Sequence, residues 1–89
     1  MKISEKKIEK ISEQILALLF EQSPKLLFTS HVAVEIARDE EFVKRLLLGL
    51  KAKMLVKEIN KNPQGIDYKK RSRWTLTSKT YETYKKLQK

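Results

Sequence analysis

The sequence predicts an α+β domain that is mainly helical, and three observations support this class. Apolar residues recur at steps of three and four over about 4–22 and 40–53, as in amphipathic helices. Over 55–77 the apolar period falls to two on either side of a turn segment that contains proline and glycine, as in a β-hairpin. The 89 residues suit a single domain, 1–89, with one small core.

The first helix is expected over residues 4–22. Its buried stripe is formed by Ile8, Ile11, Ile15, Leu18 and Leu19. Leu16 and Phe20 form a second apolar lobe about 100° around the helix, which either the C-terminal helix or another subunit covers. We favour the C-terminal helix, because Tyr81 and Tyr84 would otherwise lack a partner. The same four side chains are the predicted surface of a homodimer.

A short strand and a second helix follow. Residues 26–28 are a short apolar run that suits one strand of a small sheet. Thr29 and Ser30 then offer an N-cap for a helix that ends near Arg38. The turn into the next helix has only two or three residues, which is typical of a helix-turn-helix.

The stretch 39–56 contains the third helix, around which the domain is organised. Asp39 is expected to cap it, and the acidic residues after Asp39 suit the positive end of the helix dipole. The core-facing stripe is Val43, Leu46, Leu47, Leu50 and Met54. The opposite side carries Glu41, Arg45, Leu48 and Ala52, with Lys44 and Lys51 on one flank.

The hairpin expected over 55–77 has a long, basic tip. In its second strand Trp74 and Leu76 lie on one face, and Arg73 and Thr75 lie on the other. Trp74 is expected in the core. A last helix follows, in which three side chains share a side: Tyr81, Tyr84 and Leu87.

With this order of elements the chain resembles the winged helix-turn-helix superfamily, without indicating a closer family. The resemblance covers nearly the whole chain and rests on three places. These are Thr29-Ser30 at the start of the second helix, the run from Val43 to Met54-Leu55-Val56, and Trp74-Thr75-Leu76-Thr77 where the last strand becomes a helix.

The resemblance implies a DNA-binding protein, a small transcriptional regulator or chromatin-associated protein that binds duplex DNA as a homodimer. In this superfamily the third helix (about 40–53) enters the major groove and the wing (about 60–73) touches the backbone or minor groove. The N-terminus of the second helix binds phosphate. The candidate DNA-binding residues are Ser30, His31, Lys44, Arg45, Leu48, Lys51, Lys69, Lys70, Arg71 and Arg73.

The chain departs from the superfamily pattern in two places. Met54 stands where many members have a glycine, which predicts a different exit from the third helix. Asp39, Glu40 and Glu41 place acid at the leading end of the reading helix, where carboxylates repel phosphates, although one can accept a hydrogen bond from cytosine N4.

The charge of the chain is segregated. Residues 1–43 carry six basic and eight acidic side chains, whereas residues 44–89 carry fourteen basic and three acidic ones. A pI of about 9.9 with the basic residues crowded into one half favours a nucleic-acid partner over a lysine-rich surface that only aids solubility.

Three candidate features have a second interpretation. Arg45 reads guanine or solvates the helix face, and Leu48 contacts a thymine methyl or marks a protein interface. The basic run from Lys69 to Arg73 binds phosphate or protects a strand edge from pairing. The alternative function is therefore a protein-interaction module of a larger assembly, which uses Leu48 and the third helix.

Other functional classes find no support in the sequence. There is no cysteine, His31 is the lone histidine, and no glycine-rich phosphate loop is present, so we expect no enzyme, no metal and no cofactor. No small-molecule substrate is evident. No apolar run is long enough to span a membrane, and the charged N-terminal residues lack a signal core, so a cytoplasmic protein is expected.

Overall fold

A computed structural model describes residues 4–59 and 72–87, which form four helices and a three-stranded antiparallel sheet. The elements in chain order are α1 (Glu5–Gln22), β1 (Leu27–Phe28), α2 (Thr29–Ile36), α3 (Glu40–Ala52), β2 (Val56–Ile59), β3 (Arg73–Leu76) and α4 (Ser78–Leu87). This arrangement confirms the predicted α+β, mainly helical class and the predicted order of elements.

The sheet has the order β1-β3-β2, so β3 lies in the centre. Leu27 and Glu58 both lie opposite Trp74, and Val56 lies opposite Leu76. Because directly opposed residues share a face of an antiparallel sheet, these side chains all point to the same side. Apart from Glu58 they are buried, which places the core on that side of the sheet.

Trp74 is fully buried at the centre of the core. Its indole Nε1 donates a hydrogen bond of 2.8 Å to Oγ1 of Thr29, across 45 positions of the chain. The prediction that Thr29 and Ser30 cap the second helix is therefore wrong. The helix begins at Thr29 itself, Phe28 occupies the cap position, and the Thr29 hydroxyl serves the tryptophan instead.

The second apolar lobe of α1 packs against α4. The ring centroid of Phe20 lies 5.3 Å from that of Tyr81 and 5.7 Å from that of Tyr84, and Leu16 is buried. The preference for the C-terminal helix as the cover of this lobe is confirmed. Leu87, which the prediction placed on the same side of α4, is largely exposed.

Both helices of the helix-turn-helix end in the same left-handed turn. Ala37 has φ 56° after α2, and Met54 has φ 63° after α3. After α3 the amide of Met54 donates to the carbonyl of Lys51, and the amide of Leu55 donates to that of Leu50. This pair of hydrogen bonds is the Schellman motif, in which glycine is the usual left-handed residue.

Two predictions about Met54 are therefore wrong. Its side chain was expected in the buried stripe of the third helix, but it is 77% exposed, because the helical repeat stops at Ala52 and no longer aims Met54 at the core. A different exit from the helix was also expected, whereas Met54 adopts the left-handed conformation that a glycine there would provide.

Candidate nucleic-acid interface

The outer face of α3 is set by the residues that bury its inner face. Val43, Leu47 and Leu50 are buried, and the predicted N-cap is confirmed, since Oδ2 of Asp39 accepts a hydrogen bond of 3.1 Å from the amide of Phe42. A helix held along one stripe presents the residues of the opposite stripe to solvent.

Three of the predicted groove residues lie on this outer face. The side chains of Lys44 and Arg45 are exposed, and Leu48 is 42% exposed. Two cations that flank an apolar contact suit a groove lined by phosphates with base edges at its floor. The structure thus places these three residues where the prediction requires them, without testing what they contact.

The first turn of α2 carries Ser30 and His31, both half-buried. Phe28 at the cap position supplies no side-chain oxygen to the first-turn amides, which are the groups that bind phosphate at helix N-termini. His31 Nε2 lies 3.8 Å from Oε1 of Glu35 one turn later. The carboxylate is therefore near the imidazole at the position predicted to meet phosphate.

A hydrogen-bonded cluster that the prediction missed joins α3 to the base of the hairpin. Nζ of Lys51 donates to Oε1 of Glu58 at 2.8 Å, and Oγ of Ser72 donates to Oε2 of the same carboxylate. The bonds from Lys51 and Ser72, with the charges of Lys51 and Lys44, hold the pKa of Glu58 below its ordinary value of 4.5. Glu58 is therefore ionised at neutral pH.

The sequence did contain a signal for this cluster. The alternation of β2 places Glu58 on the same face as the buried Val56, and a carboxylate on that face needs hydrogen-bond donors. Lys51 was predicted as a DNA contact, and the structure shows its ammonium group engaged with Glu58.

The predicted wing residues divide into two groups. Arg73 lies on the central strand, and its guanidinium carbon is 4.7 Å from the ring centroid of Phe28, which is its direct partner on β1. This cation–π contact holds Arg73 over the outer face of the sheet. Lys69, Lys70 and Arg71 lie outside the described residues.

A second concave region lies between α1, the end of α3 and α4. This apolar cleft has a volume of about 630 Å³ and includes Leu16, Met54 and Tyr84 in its lining, with Lys53 and Lys79. None of the predicted DNA-binding residues lines it, whereas two of the predicted dimer residues do.

Residues 4–59 and 72–87 contain no group of three or more histidine, cysteine or acidic side chains placed to hold a metal ion. Within the same segments no helix is both long and apolar enough to cross a membrane.

Comparison with known proteins relates the chain to solved structures by shape. No protein-family model matches it, and no curated protein matches at a significant level. ZitR of Lactococcus lactis superposes with a TM-score of 0.70 at 23% identity, over 98% of this chain and 55% of ZitR. A complex of S. aureus MepR with DNA gives 0.68 at 22% identity, over 93% of this chain and 70% of that chain.

The PcaV transcriptional regulator of Streptomyces coelicolor, in complex with its natural ligand, gives a TM-score of 0.65 at 19% identity, over 85% of this chain and 50% of PcaV. The chain thus spans about half the length of ZitR and PcaV. At such identities the similarity is one of fold.

Proposed function

Starting from the winged helix-turn-helix fold that this chain shares with MepR, ZitR and PcaV, we propose that it binds duplex DNA as a transcription regulator. The observation that carries the proposal is the outer face of α3, which presents Lys44, Arg45 and Leu48 in a fold that one neighbour, MepR, uses in a complex with DNA. In the proposal α3 occupies the major groove, and the wing at about 60–73 lies along the backbone.

The distribution of charge supports a polyanionic partner. Residues 44–89 contain fourteen of the twenty basic side chains and three of the eleven acidic ones, and they include α3 beyond its first turn, both strands of the hairpin and the wing. Neutralising phosphates with lysine and arginine releases counterions, which supplies affinity without sequence information. In the proposal Lys69, Lys70, Arg71 and Arg73 provide this affinity.

The acidic start of α3 restricts where the helix approaches DNA. Glu40 and Glu41 are exposed in its first turn, where they repel phosphates. We therefore place base contact in the middle turns, where the Arg45 fork can reach O6 and N7 of guanine and Leu48 a thymine methyl.

A salt series of fluorescence anisotropy on a mixed-sequence duplex tests the proposal. We expect affinity to fall steeply with salt, with a logarithmic slope of about −0.9 for each phosphate neutralised. Lys44→Ala combined with Arg45→Ala is expected to weaken binding and, for two lost phosphate contacts, to flatten the slope by about 1.8. Absence of binding at low salt would refute the proposal.

A matched control removes the same charge elsewhere. Lys85 and Lys86 are exposed in the last turn of α4. Replacing both with alanine changes the net charge by the same two units and is expected to leave the slope unchanged. Equal losses in the two double variants would show that binding follows net charge and not the face of α3.

The wing has its own test. Replacing Lys70 and Arg71 with alanine is expected to weaken binding to all sequences alike, whereas Arg45→Ala is expected to relax sequence preference. If the wing variant bound as tightly as the parent protein, the phosphate-binding role of the wing would be wrong.

Homodimer formation is the second part of the proposal. Phe20, Tyr81 and Tyr84 are only partly buried, and the apolar cleft beside Leu16 and Tyr84 continues this surface past the exposed Met54. Two-fold pairing lets two modules read two half-sites. Sedimentation should give twice the chain mass of 10.5 kDa, and a mass of 10.5 kDa at DNA-binding concentrations would refute the dimer.

A protein-interaction module remains the second candidate function, and the specific observation in its favour is the exposed Leu48 on α3. Leu48→Ser should abolish partner binding in that case, while DNA binding through the wing would be retained. A DNA-binding role in turn places the protein inside the cell, and cell fractionation with detection of the chain tests that expectation.

A further inference from the structure

We propose that Glu58 is a positioning residue of the DNA interface, whose carboxylate fastens α3 to the base of the wing and withdraws Lys51 from phosphate. This inference rests on the proposed DNA-binding function and adds to it a residue with a negative charge. It follows from where Glu58 lies and from which side chains surround it.

Glu58 lies at a junction of three segments of the chain. It belongs to β2, its partner Lys51 belongs to the last turn of α3, and its partner Ser72 directly precedes β3. One carboxylate thus joins the predicted reading helix to both strands from which residues 60–71 continue. Direct contact with two separate elements gives it the position of a clamp between helix and wing.

The burial of the carboxylate indicates that the contact is maintained. The side chain of Glu58 is 15% exposed, whereas that of Lys51 is 50% exposed. A largely buried carboxylate is costly to leave without donors, so Lys51 and Ser72 are held to it more firmly than surface ion pairs are held. The lowered pKa of Glu58 agrees with this geometry.

Simple electrostatics predicts the opposite role for this residue. A negative charge beside Lys44 and Lys51 reduces the positive potential of the surface, so its removal should strengthen attraction to phosphate. Positioning predicts instead that removal weakens binding, because α3 and the strands lose their shared contact. The sign of the change therefore separates the two accounts.

The test compares Glu58→Ala with Glu41→Ala by fluorescence anisotropy on the same duplex. Both variants lose one negative charge, but Glu41 is exposed on the outer side of α3. We expect Glu58→Ala to weaken binding on the order of 10-fold, and Glu41→Ala to bind as tightly as the parent or more tightly. Binding by Glu58→Ala that equals or exceeds that of the parent overturns the inference.

Lys51→Ala adds a readout that a loss of folding would not produce. If Lys51 serves Glu58, the variant weakens binding with an unchanged salt slope, and Lys51→Ala adds little in the Glu58→Ala background. If Lys51 contacts phosphate directly, its replacement flattens the slope by about 0.9, and withdrawal of Lys51 from phosphate is refuted.

Circular dichroism at the assay temperature verifies that each variant is folded. Should Glu58→Ala fail to fold, Ser72→Ala removes one donor and keeps the Lys51 contact, and it is expected to weaken binding in the same direction. Unchanged binding by Ser72→Ala then overturns the inference. Absence of DNA binding by the parent protein removes the proposed function itself, which is a separate and distinguishable result.

Discussion

Replacing Met54 with glycine should stabilise the protein, although it removes a large apolar side chain. A residue other than glycine in the left-handed conformation costs about 1–2 kcal/mol. Glycine removes this cost but makes the unfolded chain more flexible, which costs about 0.4–1 kcal/mol. Little burial is lost, because Met54 is 77% exposed. The net gain in the free energy of unfolding is about 0.5–1 kcal/mol, or about 2–8 °C in Tm.

Urea denaturation followed by the fluorescence of Trp74 measures this gain, since Trp74 is fully buried in the folded state. Lys53→Gly is the matched control. Lys53 precedes Met54 and has φ −85°, so glycine relieves no strain there and should destabilise the protein by about 0.5–1 kcal/mol. The strain argument is refuted if Met54→Gly unfolds at a urea concentration equal to or lower than that of the parent.

Three further predictions concern stability. Gly49→Ala should raise the free energy of unfolding by about 1 kcal/mol in urea denaturation, because a Cβ there meets nothing within 4 Å; a lower value would contradict the open space at this position. Thr29→Val should lower it by about 1–3 kcal/mol, since the indole of Trp74 loses its acceptor, and an unchanged urea midpoint would count against that hydrogen bond. The pKa of Glu58 is lowered on folding, chiefly by its bond from Lys51, so its stabilisation is present above pH 4.5 and is lost as the pH falls through the folded pKa. Glu58→Gln should therefore lose less stability than the parent between pH 7 and acidic pH, and equal losses would contradict the shift.

The fold could be predicted from the sequence because most of its elements depend on local patterns. The stripe of α3 and the alternation around Trp74 follow directly from the helical and strand periods. The end of α3 did not follow. A period carries no information about where a helix stops, and the usual signal, a glycine after the last turn, is replaced by Met54. The cap of α2 failed for a different reason, since the hydroxyl of Thr29 is used by a residue 45 positions away.

The candidate site could be predicted only in part. The outward direction of Lys44, Arg45 and Leu48 follows from the buried stripe of α3, so position in the sequence was enough. The role of Lys51 was not evident, because Glu58 is seven residues further along and belongs to a strand. Only the packing of α3 against β2 brings the ammonium group to the carboxylate.

The order of strands in the sheet has a consequence for synthesis of the protein. β1 and β2 are not neighbours, and each pairs only with β3, whose residues follow those of the other two strands in the chain. On the ribosome the helix-turn-helix emerges before its sheet can assemble, and Leu27 and Val56 await the arrival of Trp74 and Leu76. A fragment that stops before Arg73 would keep the sequences of three helices but could form none of the strand pairs described here. Folding of this domain therefore completes after translation has passed its central strand, and not in the order in which its elements are made.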